Sequence, residues 1–125
     1  MADERFFTVE EANAELPALR DRLTRIREAR ATVLRSAEVV RRASPADGGG
    51  PEGAAYLEAV RVLRQEVEAL AAAGIILRDP DSGLVDFPAR REGRTVYLCW
   101  RLGEERVEHW HDASSGFSGR RPLNS

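Results

Sequence analysis

Glu108-His109-Trp110-His111-Asp112 gathers four side chains able to bind a metal or a proton into five consecutive residues. On a strand, residues two apart project from the same face, about 7 Å apart along the chain, so His109 and His111 offer two imidazoles to one side. Two imidazoles and a carboxylate with open positions form the donor set of non-haem Fe(II), Mn or Zn centres. Asp86, from another strand, and Asp112, if the strand ends and turns there, are the candidate carboxylates. A metal-dependent enzyme or a metal-binding protein is one reading of this set. The plainer reading has one histidine hydrogen-bonded to a buried acid and the other at the surface.

A second group of chemical residues lies just upstream. In Thr95–Arg101, Val96, Leu98 and Trp100 share one strand face, and Tyr97, Cys99 and Arg101 share the other. The apolar face reads as core, which leaves the tyrosine, thiol and arginine as a half-exposed patch. Glu108 and Trp110 point away from the histidines on a regular strand, and register, which sequence does not fix, decides which set joins the patch. Tyr97, Arg101, Glu108 and Trp110 are therefore the candidate ligand-binding residues of a polar pocket on the sheet. Cys99 as a nucleophile needs a base, which His109 or His111 can supply across the strands, but a small buried thiol is the commoner use of a cysteine. Arg90, Arg91, Arg94, Arg101, Arg120 and Arg121, interleaved with aromatics, allow an RNA-binding reading. Glycine-rich phosphate loops, nucleophile elbows and paired-cysteine zinc motifs are absent from the sequence.

The elements that must position these residues are readable from period and punctuation. Thr8 and Glu11 form a capping box at a helix start, and Pro17 predicts a kink or break. From there Leu16, Leu19, Leu23, Ile26, Arg30, Val33, Ala37 and Val40 step by three and four, giving one long amphipathic helix to about Arg42. The proline- and glycine-rich stretch Ser44–Gly53 predicts a connection. Tyr56, Val60, Leu63, Val67 and Leu70 repeat the helical pattern, and Gly74 caps its end. After Gly74 the period falls to two. Strands are predicted at Ile75–Arg78, Leu84–Phe87, Thr95–Arg101 and Val107–His111, with Pro88 ending the second or placing it at an edge. The fold class is α+β: a long antiparallel helical hairpin followed by a small antiparallel β-meander of about four strands. The whole is expected to be one domain, with the hairpin over about 8–73, the sheet over about 75–112 and a tail at 113–125.

Phe7-Thr8-Val9-Glu10-Glu11-Ala12-Asn13, Gly83-Leu84-Val85-Asp86-Phe87-Pro88, and Val96–Glu104 running through His109-Trp110-His111 to Gly116-Phe117 and Gly119-Arg120 resemble a bacterial family known as domain of unknown function 2203. The resemblance spans nearly the whole chain and implies no activity or cofactor. One departure falls in the tail, where a glutamate is expected after Trp110-His111 and this chain has Asp112.

Composition narrows the function classes. All 19 basic residues are arginine, and residues 1–74 carry 11 of them against 13 acids, while residues 75–125 carry 8 against 8. Neither part is a polyanion-binding surface by net charge, so nucleic acid is a disfavoured partner. No run of apolar residues spans a membrane and no secretion signal opens the chain, so a cytoplasmic protein is expected. The lone Cys99 agrees with a reducing compartment. Apolar stripes longer than a small sheet can cover predict a homodimer through the helices. The leading functional reading is a small binding or regulatory module.

Overall fold

The computed structural model describes residues 5–42 and 50–123. Its elements run in the order α1 (Val9–Arg42), α2 (Gly50–Ala73), β1 (Ile76–Asp79), β2 (Leu84–Arg91), β3 (Arg94–Arg101), β4 (His109–Asp112) and β5 (Arg121–Pro122), with a 3₁₀ turn at Phe117–Gly119. The architecture is the expected helical hairpin followed by an antiparallel sheet. The sheet has five strands rather than about four, in simple sequential order.

The capping box forms at the start of α1. The Thr8 amide donates to Glu11 Oε1 at 2.8 Å and the Glu11 amide donates to Thr8 Oγ1 at 3.1 Å. The expected break at Pro17 does not occur, because α1 runs unbroken for 34 residues with Pro17 inside it. Pro17 sits on the exposed side, while Ala12, Leu16 and Leu19 on either side of it are buried against the rest of the protein. That packing outweighs the one backbone hydrogen bond a proline forfeits. The predicted connection at 44–53 lies outside the described residues over 44–49, and Gly50–Gly53 belongs to the first turn of α2 instead. Proline at Pro51 suits that first turn, where an amide hydrogen has no intrahelical partner.

The two helices pack along their lengths, but α2 is rotated from the stripe its apolar residues predict. Its buried residues are Gly53, Ala59, Glu66 and Leu70, whereas Val67 is exposed. The rotation is explained by Glu66, whose carboxylate lies 3.2 Å from both Arg22 Nη1 and Arg25 Nε of α1. A charged pair between helices takes the place of an apolar contact there. At the other end of α2 the Ile75 amide donates to the Leu70 carbonyl and the Gly74 amide to Ala71, both at 3.0 Å. Gly74 has φ +82°, the left-handed geometry that this cap requires.

The sheet lays one face on α1. Val85, Phe87 and Ala89 of β2, Val96, Leu98 and Trp100 of β3, and Trp110 of β4 form one core with Phe7, the α1 leucines and Ile26. The β2–β3 connection is a two-residue turn in which Glu92 and Gly93 both have positive φ, 52° and 76°. That backbone matches the right-handed twist of the flanking strands. Pro88 does not end β2, which continues to Arg91, but the expected edge placement holds locally, because beyond Asp86 only β3 pairs with β2. It is tolerated because β1 pairs with β2 only as far as Asp86, and Phe7 takes up the Pro88 carbonyl beyond it at 2.7 Å. In an antiparallel strand a residue's amide and carbonyl point to the same side, so the missing proline N–H faces the gap that β1 leaves.

Phe87 is wholly buried and meets the Phe7 ring edge-on at 5.1 Å. Phe87→Ala is expected to cost about 3–5 kcal/mol, the usual loss for an aromatic truncated in a close-packed core. Urea unfolding followed by circular dichroism measures it. A loss under about 1 kcal/mol contradicts the assigned core face.

Candidate functional site

Strand alternation that sends Val85 and Phe87 into the core sends Asp86 to the opposite face of the sheet, and the ladder fixes what meets it there. Asp86 is opposite Cys99, and Cys99 is opposite His109; in the next row Pro88 is opposite Tyr97, and Tyr97 is opposite His111. Both histidines therefore share the face of Tyr97 and Cys99, which answers the register question the sequence leaves open. This outer face is not solvent. The chain between β4 and β5 folds back over it, so that Asp86 and Cys99 are each 1% exposed and His111 3%.

Asp86 and His111 form a closed pair. His111 Nε2 lies 3.0 Å from both Asp86 oxygens, and His111 Nδ1 lies 2.7 Å from the backbone carbonyl of Asp112. Arg78 of β1 donates its Nε to Asp86 Oδ2 at 2.8 Å. Both ring nitrogens face oxygen acceptors, so a neutral imidazole with an ionised carboxylate leaves one acceptor pointing at another. A proton or a metal ion between Nε2 and the carboxylate relieves that contact. The Tyr97 ring flanks this pair at 5.6 Å from the His111 ring, with the Arg78 guanidinium 5.3 Å from its own centroid.

Cys99 lies opposite Asp86 on β3, the strand between Asp86 and His111. Asp86, Cys99 and His111 each offer a ligand atom, all within 4.8 Å of one another, and among the described residues they are the one such group. Burial pushes the Cys99 thiol up to about 11, with a smaller push from the Asp86 charge, against the downward pull of Arg120, whose Nη1 is 4.0 Å from the sulfur. Arg120 is itself held by Glu104, at 2.5 Å and 3.3 Å. Burial pushes the Glu104 carboxyl up, but the bonds from Arg120 and from the Arg101 amide prevail and leave it below the usual carboxylate value. A hollow of about 320 Å³ opens onto the buried trio, bounded by Arg78, Leu84 and the segment Ala113–Phe117. Larger hollows of about 600 and 650 Å³ lie elsewhere, lined by residues with no buried ionisable group among them.

Of the residues singled out in the sequence, Asp86 and His111 are brought together and Tyr97 stands beside them. His109 does not join the group; it lies within electrostatic range of Glu104 and lines a different hollow with Glu108. The Asp112 carboxylate points away, 3.5 Å from Arg94 and 3.8 Å from Arg121, so Asp112 serves His111 through its carbonyl alone. Arg101 is exposed, its guanidinium 5.1 Å from the Phe117 centroid rather than at the hollow. Trp110 is on the core face, 6% exposed. Glu108 is exposed ahead of β4, its carbonyl bonded to the Leu123 amide. Sequence reasoning missed Arg78 and read Cys99 as a buried thiol or, less readily, a nucleophile, never as a ligand. The signal for both was available: each falls on the same strand phase as Asp86 once the ladder is drawn.

A helical hairpin with a sequentially ordered antiparallel sheet, its outer face covered by the chain's own end, defines the class of this protein. Residues 5–123 match the family described as uncharacterized conserved protein, DUF2203, and the chain belongs to that family. No curated protein and no solved structure matches it.

The thiol gives a pH signature. In the presence of a chelator, alkylation of native Cys99 by iodoacetamide at pH 8 is expected to be at least about 100-fold slower than in the unfolded protein. A thiol at about 11 against an ordinary 9.0 has about a hundredth of the thiolate. The same shift works on stability. Below about pH 9 both states keep the proton, and between about 9 and 11 only the folded state does, so stability falls as pH rises through that window. Native Cys99 alkylating as fast as unfolded Cys99 contradicts the burial.

Proposed function

We propose that the protein is a small binding or regulatory module that takes a compact anion into the hollow on the outer face of its sheet. The observation that carries this is the arginine at the hollow, Arg78. Asp86 accepts from Arg78 Nε on one side and faces His111 Nε2 on the other, and Arg78, which lines the hollow, has further guanidinium N–H donors beyond the one given to Asp86. The Arg120–Glu104 pair nearby cancels itself. A hollow lined by an arginine that keeps donors free of its own carboxylate partner favours carboxylate or phosphate groups. The RNA reading gains nothing comparable, because Arg94, Arg120 and Arg121 are each paired with an acid.

Inorganic phosphate and acetate are the probes, titrated into chelator-treated protein and followed by the His111 and Tyr97 ring signals in NMR. Saturable shifts are expected, with Arg78→Gln weakening binding about 10-fold or more, the loss of one charge-assisted contact. Rings that do not respond to either anion in the folded protein overturn the reading.

We also propose that two copies associate through the helices in a reducing, cytoplasmic setting. Leu57 and Val67 of α2 and Leu34 and Val39 of α1 are exposed apolar side chains on the hairpin, and packing against a second hairpin in a four-helix arrangement is what covers such residues. No described helix is long and apolar enough to cross a membrane. Light scattering is expected to give a dimer mass at micromolar concentration, and the double variant Leu57→Glu, Val67→Glu a monomer. A monomer mass for the unaltered protein rules the association out.

A further inference from the structure

We propose that Asp86, Cys99 and His111 are the three protein ligands of a divalent transition-metal site whose fourth position opens into the hollow. This deepens the binding reading above and rests on it only for the open position. The trio combines one carboxylate, one thiol and one imidazole from the neighbouring strands β2, β3 and β4, with donor atoms all within 4.8 Å. The 3.0 Å separation of His111 Nε2 from the Asp86 oxygens is a few tenths of an ångström short of the roughly 3.4 Å that two ligands about 2.1 Å from one ion span at the tetrahedral angle, so a small widening admits the ion. Those atoms are also where two acceptors meet when Nδ1 donates to the Asp112 carbonyl, a contact that a cation between them relieves.

Each ligand already has the outer partner that metal sites use. A ligating histidine donates its other nitrogen to a carbonyl or carboxylate, as Nδ1 does to Asp112, which fixes the tautomer that leaves Nε2 for the metal. A ligating carboxylate is itself hydrogen-bonded, as Asp86 is by Arg78, and Arg120 stands beside the sulfur. The donor set sorts the metals. A thiolate and an imidazole favour zinc or ferrous iron over magnesium, calcium or manganese. On binding, the ion displaces the proton shared by His111 and Asp86 and the Cys99 thiol proton, both of which pass to solvent, and no oxidation is involved. The fourth position then faces Ala113–Phe117, where water or the anion proposed above completes the coordination.

Cobalt(II) is the probe, because a thiolate ligand gives it a near-ultraviolet charge-transfer band and tetrahedral geometry gives it visible bands. Untagged full-length protein, stripped with chelator and exchanged into buffer, is titrated with cobalt chloride alone. A saturating thiolate band at equimolar metal is expected, abolished by Cys99→Ser and weakened about 10-fold or more in affinity by Asp86→Asn and by His111→Gln. Zinc is expected to displace the cobalt. Circular dichroism of each variant separates loss of the site from loss of the fold, and the unaltered protein is decisive if a variant does not fold. A folded unaltered protein with no cobalt–thiolate band overturns the proposal, and so does a band that survives in folded Asp86→Asn and His111→Gln with unchanged affinity. Phosphate binding to the chelator-treated protein without cobalt binding leaves the anion reading standing and removes the metal. Cobalt binding without an anion response does the reverse.

Discussion

An ionised carboxylate inside a protein costs several kcal/mol unless opposite charge and hydrogen bonds repay the lost hydration, and Asp86 is such a group. Its partners come from both sides of its own strand: Arg78 from β1 and His111 from β4, the latter reaching past β3. One side chain thereby ties the alignment of four strands together. A slip of β2 by a single residue turns Asp86 toward α1 and strips it of both partners, so the buried charge penalises that slip in addition to the core.

The requirement placed on the other face follows from that. The inner face is satisfied by apolar alternation against α1, with Trp100 wholly buried and its Nε1 donating to the Glu104 carbonyl at 3.2 Å. The outer face holds ionisable groups that must be shielded without being packed with hydrocarbon. The end of the chain supplies the shield. After β4 it turns through Gly116, at φ +65°, presents Phe117 between the guanidinium groups of Arg101 and Arg120, and returns as β5 beside β4. Residues expected to form a tail are thus the roof of the hollow.

Much of the frame was legible in the sequence because it is written in periods and caps: the Thr8–Glu11 box, the Gly74 cap, the change to strand alternation and the Val96-Leu98-Trp100 core face. What was not legible depended on long-range partners. Pro88 looks like a strand terminator until β1 is seen to stop short of it. Val67 looks like core until Glu66 is found between Arg22 and Arg25. β5 is two residues long, Arg121 and Pro122, with no alternation to read. For the site, Asp86 and His111 were recognisable as chemistry, but their meeting is diagonal across the sheet, a consequence of twist and register that spacing along the chain cannot encode. The same geometry parts His109 from His111, although the strand puts both on one face.

The histidine–thiol juxtaposition also bears on what the site is built to do. A nucleophilic cysteine needs a base with a free nitrogen in reach and a setting that favours thiolate. His111 has neither nitrogen free, since one is committed to the Asp112 carbonyl and the other to Asp86. Cys99 is moreover in a setting that favours the neutral thiol, burial and the Asp86 charge outweighing Arg120. Both features are handicaps for covalent catalysis, whereas a cation can overcome them, because it draws the imidazole lone pair toward itself and deprotonates the sulfur by its own charge. The arrangement of donors therefore fits retention of a ligand better than attack on one.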